Sequence, residues 1–210
     1  MQRPVDGAAG ITAAIAIPLR SFVLGKARLA EVLTETERVA LAHTMADRVA
    51  DAARPYPTVV ITSAPEVRTW AVGRELAVVD DPGSLDAAAA VGREWARGLG
   101  APRVAIVHAD LPRIISLDAV VGDAGRAVAV IVPDHRDDGT PVLSVPTAGD
   151  FTFAYGPGSA ARHEREARSR GLAVRVVHDE QLRFDVDVPA DLEHCSPADL
   201  EHPAPADRGR

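Results

Sequence analysis

The sequence predicts an α/β fold, with one domain built on a mainly parallel sheet. Short apolar runs, which are typical of strands buried on both faces, alternate along the chain with longer segments of helical period. Alternation of this kind favours parallel strands joined by crossover helices. A length of 210 residues suits one domain with a tail. Parallel sheets bind ligands beyond the carboxyl ends of their strands, so we expect the functional residues in the loops that follow strands.

Seven segments have the pattern of strands. The first, residues 11–18, is a near-continuous apolar run that ends at Pro18. The others are shorter, and they cover residues 58–62, 76–79, 104–107, 127–132, 141–145 and 172–177.

Helical segments separate most of these strands. Residues 34–37, Thr-Glu-Thr-Glu, form a capping box, which is the signature of a helix start, and periodic apolar residues follow as far as Ala52. The other predicted helices cover residues 65–76, 86–99 and 159–171, and a short one follows Leu111-Pro112.

The C-terminal part contains a short duplication. Pro-Ala-Asp-Leu-Glu-His occurs at residues 189–194 and again at residues 197–202. The period is too short for a solenoid repeat, so we interpret the duplication as a repeated helix start. We expect a catalytic domain over residues 1–194 and a disordered tail over residues 195–210.

Composition excludes several classes of protein. The formal charge is 23 − 30 = −7, which argues against nucleic-acid binding by bulk charge but permits a local basic pocket for a small anion. The single cysteine, Cys195, has no partner for an internal disulfide. No apolar run reaches the roughly 18 residues of a membrane span, so we expect a cytoplasmic protein without a membrane partner.

A basic loop follows the first strand. It carries Arg20, Lys26 and Arg28, and Lys26 is the only lysine in the chain. Guanidinium and ammonium groups are the usual ligands of a triphosphate. The alternative is a solvated basic loop.

Three aspartates follow strands or stand in extended segments. Asp110 ends the fourth strand, and Asp185 and Asp187 project to the same side of an extended chain. Adjacent like charges repel unless a cation lies between them, and carboxylates together with a substrate phosphate suit Mg²⁺. The alternatives are that Asp110 caps the next helix and that the other two lie on an exposed edge strand.

A third group of residues precedes the last long helix. Gly139-Thr140 is followed by Tyr155-Gly156-Pro157-Gly158-Ser159 at the helix start. Backbone N–H groups at a helix N-terminus bind small anions. The alternative is a turn in which Ser159 is the N-cap.

Taken in order, these motifs resemble the CofC/FbiD family, the guanylyltransferases of coenzyme F420 biosynthesis. The residues that carry the resemblance lie between Ile11 and Glu193: Pro18-Leu-Arg20, Gly25-Lys26-Ala-Arg28-Leu29, Ala109-Asp110-Leu-Pro112, Asp134 to Gly139-Thr140, Phe153 to Ser159 with His163, and Asp185-Val-Asp187-Val-Pro-Ala-Asp-Leu.

The resemblance implies a fold, a reaction and a set of site residues. The fold is a Rossmann-like, three-layer nucleotidyltransferase domain. The donor is GTP, the cofactor is one or two Mg²⁺ ions, and the acceptor is phosphoenolpyruvate, 2-phospho-L-lactate or 3-phospho-D-glycerate. The family's metal ligands match Asp110, Asp185 and Asp187, and its acceptor contacts match Thr140, Gly156 and Ser159.

The sequence departs from the family pattern at two places in the GTP site. Arg20 stands where the family usually has Lys, which keeps the charge but changes the geometry offered to a phosphate. Ser84-Leu85-Asp86 stands where the family usually has Gly-Leu-Asn, and Asp86 could accept hydrogen bonds from guanine N–H groups.

Two other functions stay open on the residues alone. A molybdopterin or sugar-phosphate nucleotidyltransferase would share the fold, but those enzymes have a Gly-rich first loop that this chain lacks. A catalytically inactive nucleotide-binding protein would not need all three aspartates and the lone lysine.

Overall fold

The computed structural model describes residues 11–122 and 127–201, which form a seven-stranded sheet with helices on both faces. The strands are β1 (Ala14–Pro18), β2 (Thr58–Ile61), β3 (Ala77–Val79), β4 (Arg103–Val107), β5 (Val128–Val132), β6 (Val142–Pro146) and β7 (Ala173–Val176). Their order across the sheet is β3-β2-β1-β4-β6-β5-β7.

The predicted mainly parallel sheet is confirmed, and the exception is β6. This strand is antiparallel to both of its neighbours, β4 and β5, whereas all the other pairs are parallel. Only residues 133–141 join β5 to β6, and a parallel crossover needs a dozen or more residues. The chain therefore has to turn back at this point.

The helices are α1 (Glu35–Ala53), α2 (Pro65–Gly73), α3 (Leu85–Gly98), α4 (Asp118–Val121), α5 (Ser159–Ser169), α6 (Glu180–Arg183), α7 (Pro189–Glu193) and α8 (Pro197–Leu200), with a 3₁₀ turn at Ala27–Glu31. The capping box at the start of α1 is confirmed. The Thr34 hydroxyl accepts from the Glu37 N–H at 3.3 Å, and the Glu37 carboxylate accepts from the Thr34 N–H at 2.8 Å.

The sheet lies between two apolar layers, as a three-layer fold requires. Ile15 of β1 packs with Val49 of α1 on one face, and Ala16 packs with Ala89 of α3 on the other. Helix α3 comes very close to β1, because a Cβ added at Gly92 would lie 2.4 Å from the Cβ of Ala16. The small residues at both positions let the middle of α3 pack closely against the middle of β1.

Two of the predicted elements begin at least three residues later than expected. β1 begins at Ala14 rather than at residue 11. The helix predicted after Leu111-Pro112 does not begin there; the chain first makes a loop that buries Leu111, Ile114 and Leu117, and α4 begins only at Asp118.

The duplicated segment forms two short helices, as its interpretation as a repeated helix start requires. The first copy gives α7 and the second gives α8. Of the expected tail, residues 196–201 pack on the domain, because the Arg48 guanidinium donates to the carbonyls of Ala198 and Glu201, and Arg113 pairs with Asp199 at 3.3 Å. Residues 202–210 lie outside the described part of the chain.

None of the helices within residues 11–122 and 127–201 is long and apolar enough to cross a membrane.

Candidate active site

Two cavities lie beyond the carboxyl ends of β1 and β4. The chain runs from β1 outward to β2 and β3 and then returns to β4 on the other side of β1, so these two strands mark the point where the strand order reverses. Ligands of open α/β sheets bind at such points. The first cavity, of about 280 Å³, is bounded by the end of β1, the loop after it, and the start of α3. The second, of about 360 Å³, is bounded by residues 134–141, 155–159 and 185–188.

The two cavities share three lining residues, Leu85, His108 and Asp110. Asp110 comes from the loop directly after β4, as predicted, and it stands where a ligand in one cavity meets a ligand in the other. A reaction between two bound molecules can therefore take place beside this carboxylate.

Lys26 lies at this junction. Its ammonium donates to Asp110 Oδ2 at 2.7 Å and to Asp187 Oδ1 at 3.0 Å, and its side chain is only 10% exposed. Burial acts to lower the pKa of Lys26, but the two carboxylates outweigh burial and the pKa is raised. Burial likewise acts to raise the pKa of Asp110, but the nearby ammonium outweighs it and the pKa is lowered. Lys26 and Asp110 are therefore both charged near neutral pH.

Asp185 has a different environment from the other two aspartates. Burial, followed by the charges of Asp110, Asp187 and Asp134, raises its pKa to about 7. His135 Nδ1 lies 3.3 Å from Asp185 Oδ1, outside hydrogen-bonding geometry. Asp185 Oδ1 is therefore buried without a hydrogen bond from the residues that the structure describes, and His135 is a basic side chain within ion-pair distance of it.

The carboxylates have oxygen atoms to offer to a cation. Asp110 Oδ1 and Asp185 Oδ1 are both buried and accept no hydrogen bond from the described residues. Hard oxygen atoms of this kind suit Mg²⁺. The side chains as they lie do not form a closed ligand set, because no group of three His, Cys, Asp or Glu residues in the described ranges stands in metal-holding geometry. Lys26 lies between two of the predicted ligands instead.

The three predicted triphosphate ligands do not form one cradle. Arg20 lines the first cavity, where it pairs with Asp81 at 3.5 Å and donates to the Gly83 carbonyl at 3.2 Å, but its side chain is 76% exposed. Arg28 is exposed and lines the second cavity. Lys26 lies between them. The loop therefore distributes its positive charge along both cavities.

Asp86, the predicted guanine contact, is at the start of α3 but lines neither cavity. Its Oδ1 accepts a hydrogen bond of 2.6 Å from the Tyr155 N–H. This bond ties α3 to the loop before α5. The side chains of α3 that reach the first cavity are Leu85 and Ala88.

The predicted acceptor residues, Thr140, Gly156 and Ser159, come together on the wall of the second cavity. The predicted backbone anion site at the start of α5 is not free, because two of its N–H groups already donate to another residue. Asp138 accepts from the N–H groups of Gly158, at 2.9 Å, and Ala160, at 3.1 Å. The alternative with Ser159 as N-cap does not hold either, because Gly158 takes that position in a left-handed conformation with φ of 72°.

The loop after β5 is shaped around one carboxylate, Asp134, which accepts from the N–H groups of Arg136, Asp138 and Gly139. A Cβ at Gly139 would lie 2.6 Å from Asp134 Oδ2, so any larger residue would have to displace the carboxylate that these N–H groups hold. This explains why a glycine precedes Thr140.

Two residues of the site were not predicted from the sequence. His108 lines both cavities and has a buried Nε2 without a partner in the described chain. Asp191 is 1% exposed, and its Oδ2 accepts from the N–H groups of Asp187, at 2.7 Å, and Val188, at 2.9 Å. Asp191 stands in the duplicated segment and also in the family motif that begins at Asp185, and these two signals could have pointed to it.

The fold, in which two cavities meet at carboxylates and a buried lysine, is that of the nucleotidyltransferases. A solved nucleotidyl transferase from Methanothermobacter has the same fold, with a TM-score of 0.58 at 15% identity over 88% of this chain and 96% of that one. The family model of the CofC-like guanylyl transferases matches residues 13–195, and the chain belongs to that family.

Curated relatives agree with this assignment. Phosphoenolpyruvate guanylyltransferase of Sphaerobacter thermophilus is 36% identical over 190 residues, which cover 87% of this chain and 92% of that protein. 2-Phospho-L-lactate guanylyltransferase of Methanothermobacter thermautotrophicus is 34% identical over 183 residues, which cover 84% of this chain and 80% of that protein.

Proposed function

We propose that this protein transfers GMP from GTP to the phosphate of a small phosphorylated carboxylic acid, with phosphoenolpyruvate as the preferred acceptor, in coenzyme F420 biosynthesis. The observation that carries the proposal is the meeting of two cavities at Asp110. A donor and an acceptor bound side by side would bring their phosphates together there.

The first cavity suits the nucleotide. Apolar side chains, among them Leu19, Met45 and Ala88, line much of it, and such a lining favours a planar base. Arg20 and Lys26 lie along the same cavity and would neutralise the triphosphate. The second cavity suits the acceptor, because Thr140 and Ser159 offer hydroxyl groups to a compact carboxylate and Arg28 adds positive charge.

In the reaction, an oxygen of the acceptor phosphate attacks the α-phosphorus of GTP. A new P–O–P linkage forms, the bond between the α-phosphorus and the bridging oxygen to the β-phosphorus breaks, and pyrophosphate leaves. The acceptor phosphate is already anionic near neutral pH, so no general base is required. The barrier is mainly repulsion between anions, and the residues act by positioning and by neutralising charge.

The carboxylates of Asp110, Asp185 and Asp187 would hold Mg²⁺. The support for this is that Asp110 Oδ1 and Asp185 Oδ1 are buried and accept no hydrogen bond from the described residues. When bound, the ion supplies Lewis-acid stabilisation of the phosphate charge. Lys26 stays beside these carboxylates and adds a fixed positive charge to the phosphate side of the junction.

The proposed order of acceptors rests on Thr140, Gly156 and Ser159, which suit a compact carboxylate and are not matched to a further hydroxyl. The relatives named above take phosphoenolpyruvate and 2-phospho-L-lactate. 3-Phospho-D-glycerate has a free hydroxyl, and an unpaired buried hydroxyl costs about 1–3 kcal/mol, roughly a 5- to 150-fold preference. Phosphoenolpyruvate and 2-phospho-L-lactate differ only in planarity and two hydrogens, so discrimination between them should be small.

The test is to incubate the protein with GTP, Mg²⁺ and an equimolar mixture of the three acceptors, and to identify the products by mass spectrometry. We expect mostly the enolpyruvyl product together with pyrophosphate. Asp187→Asn should lower turnover at least about 100-fold, whereas Asp80→Asn, at an exposed carboxylate outside both cavities, should not. A dominant phosphoglycerate product would refute the argument from the cavity, and no product from any acceptor would refute the proposed function.

A further inference from the structure

A chain of hydrogen bonds lies behind the wall of the second cavity. His163 of α5 is completely buried, and its Nε2 accepts from the Ala154 N–H at 3.0 Å. Its other ring nitrogen, Nδ1, lies 3.1 Å from Thr140 Oγ1, which in turn lies 3.0 Å from Ser159 Oγ. Thr140 and Ser159 are 2% and 1% exposed, so little of either side chain is open to solvent apart from the cavity wall that they form.

The direction of the chain follows from its first member. A backbone N–H can only donate, so Nε2 of His163 carries no proton. In the neutral ring the proton is then on Nδ1, and Nδ1 donates to Thr140 Oγ1. Burial lowers the pKa of His163 to about 4, which keeps the ring neutral near pH 7. The rings of Phe151 and Tyr155, at 6.2 and 4.8 Å between centroids, flank it and limit its rotation.

A count of protons shows what the chain offers to the cavity. Thr140 and Ser159 have two hydroxyl protons, and one bond between the two oxygens uses one of them. The hydrogen bond between His163 and Thr140 uses the proton of the histidine ring. It therefore does not use the second hydroxyl proton. Neither hydroxyl group donates elsewhere in the described chain, and both residues line the second cavity. Whichever hydroxyl donates to the other, one O–H remains for a ligand.

We propose that His163 is a positioning residue for the acceptor: its Nδ1–H orients the Thr140–Ser159 pair so that the second cavity presents a hydroxyl donor to a carboxylate oxygen of the acceptor. This inference rests on the proposed function. The acceptor phosphate has to lie near Asp110 to react, so the carboxylate is the anionic group left for the hydroxyl pair. Without the ring, the Thr140 hydroxyl could turn and present lone pairs to that anion.

The variants His163→Leu and His163→Gln test this inference. His163→Leu removes the donor to Thr140, and we expect the KM for phosphoenolpyruvate to rise roughly 10- to 100-fold while the KM for GTP stays within about twofold. His163→Gln can accept from Ala154 and donate to Thr140 through one amide, so it should recover most of the loss. His178→Leu is the matched control, because this histidine is 55% exposed and lies outside both cavities.

Ethyl phosphate, used as an inhibitor, distinguishes binding of the acceptor's carboxylate from binding of its phosphate. It keeps the phosphate and lacks the carboxylate, so its inhibition constant against phosphoenolpyruvate should be the same in the wild type and in His163→Leu. Three results would each overturn the proposal. They are a rise in the KM for GTP as large as the rise in the KM for phosphoenolpyruvate, a rise in the inhibition constant of ethyl phosphate, and a His163→Gln variant as impaired as His163→Leu. Thermal unfolding of each variant confirms that the fold is kept.

The tautomer gives a readout that does not depend on turnover. Long-range ¹⁵N–¹H correlation spectra of the full-length protein should place the His163 proton on Nδ1, and an Nε2–H tautomer would overturn the inference. If the wild type makes no guanylylated product from any acceptor, the proposed function fails, and the tautomer alone then decides the orientation of the hydroxyl pair.

Discussion

Replacing Asp185 with asparagine should stabilise the metal-free protein, and the gain should grow as the pH rises. The folded-state pKa of Asp185 is raised from its ordinary 3.8 to about 7, because the carboxylate is buried among other carboxylates. A raised pKa in an acid means that the folded state holds its proton longer than the unfolded state does. The wild type therefore loses stability as the pH rises from about 4 to about 7, and asparagine, which has no proton to lose, does not.

The size of the effect follows from the same numbers. The difference between 3.8 and about 7 corresponds to about 4 kcal/mol at full ionisation. Over the accessible window from about pH 5 to about pH 8, the advantage of Asp185→Asn should grow by about 2–3 kcal/mol, since part of the loss has already occurred at the lower pH. The side chain is 12% exposed, so screening by water removes only a small part of this.

Urea unfolding in a chelator at the two pH values measures this difference. Asp80→Asn, at a side chain that is 83% exposed, is the control and should shift the midpoint equally at both pH values. Adding Mg²⁺ should stabilise the wild type more than Asp185→Asn if Asp185 holds the ion. An advantage that does not change with pH would show that burial and the neighbouring carboxylates do not raise the pKa of Asp185.

Two further variants test other parts of the site. Lys26→Ala should weaken GTP binding and turnover more than acceptor binding. An unchanged affinity for GTP in titrations would show that Lys26 has only a structural role. The substitution should also lower the free energy of unfolding by up to about 3–5 kcal/mol, measured by chemical denaturation, because Asp110 and Asp187 lose their shared cation. Gly139→Ala should raise the acceptor KM and destabilise the protein by about 1–3 kcal/mol, because its Cβ would lie 2.6 Å from Asp134 Oδ2; wild-type values for both would contradict the packing of this loop.

Most of the fold could be predicted from the sequence because the signals are local. Seven apolar runs gave seven strands, and the capping box placed the start of α1 at the observed residue. The antiparallel direction of β6 is not a local property, because it depends on the length of a connection and on which strands become neighbours. Pairing of strands is decided by packing across the whole sheet, to which a single segment contributes little.

The candidate site, too, could be predicted in part from the sequence. The resemblance to the family predicted that Thr140 and Ser159 both contact the acceptor, and the structure brings their hydroxyl oxygens within 3.0 Å of each other. The sequence could not predict that Lys26 lies between Asp110 and Asp187, because those contacts span 84 and 161 residues. It also could not predict that Asp138 caps the start of α5, since aspartates suited to that role occur throughout the chain.

The shared boundary of the two cavities has a consequence for the order of events. Each cavity has its own lining, and only Leu85, His108 and Asp110 belong to both. A molecule in one cavity therefore leaves most of the lining of the other free, so we expect both substrates to be bound at the same time. Steady-state kinetics should accordingly follow a sequential scheme, with double-reciprocal lines that intersect rather than run parallel. The enzyme has no need to keep part of one substrate covalently while it waits for the next.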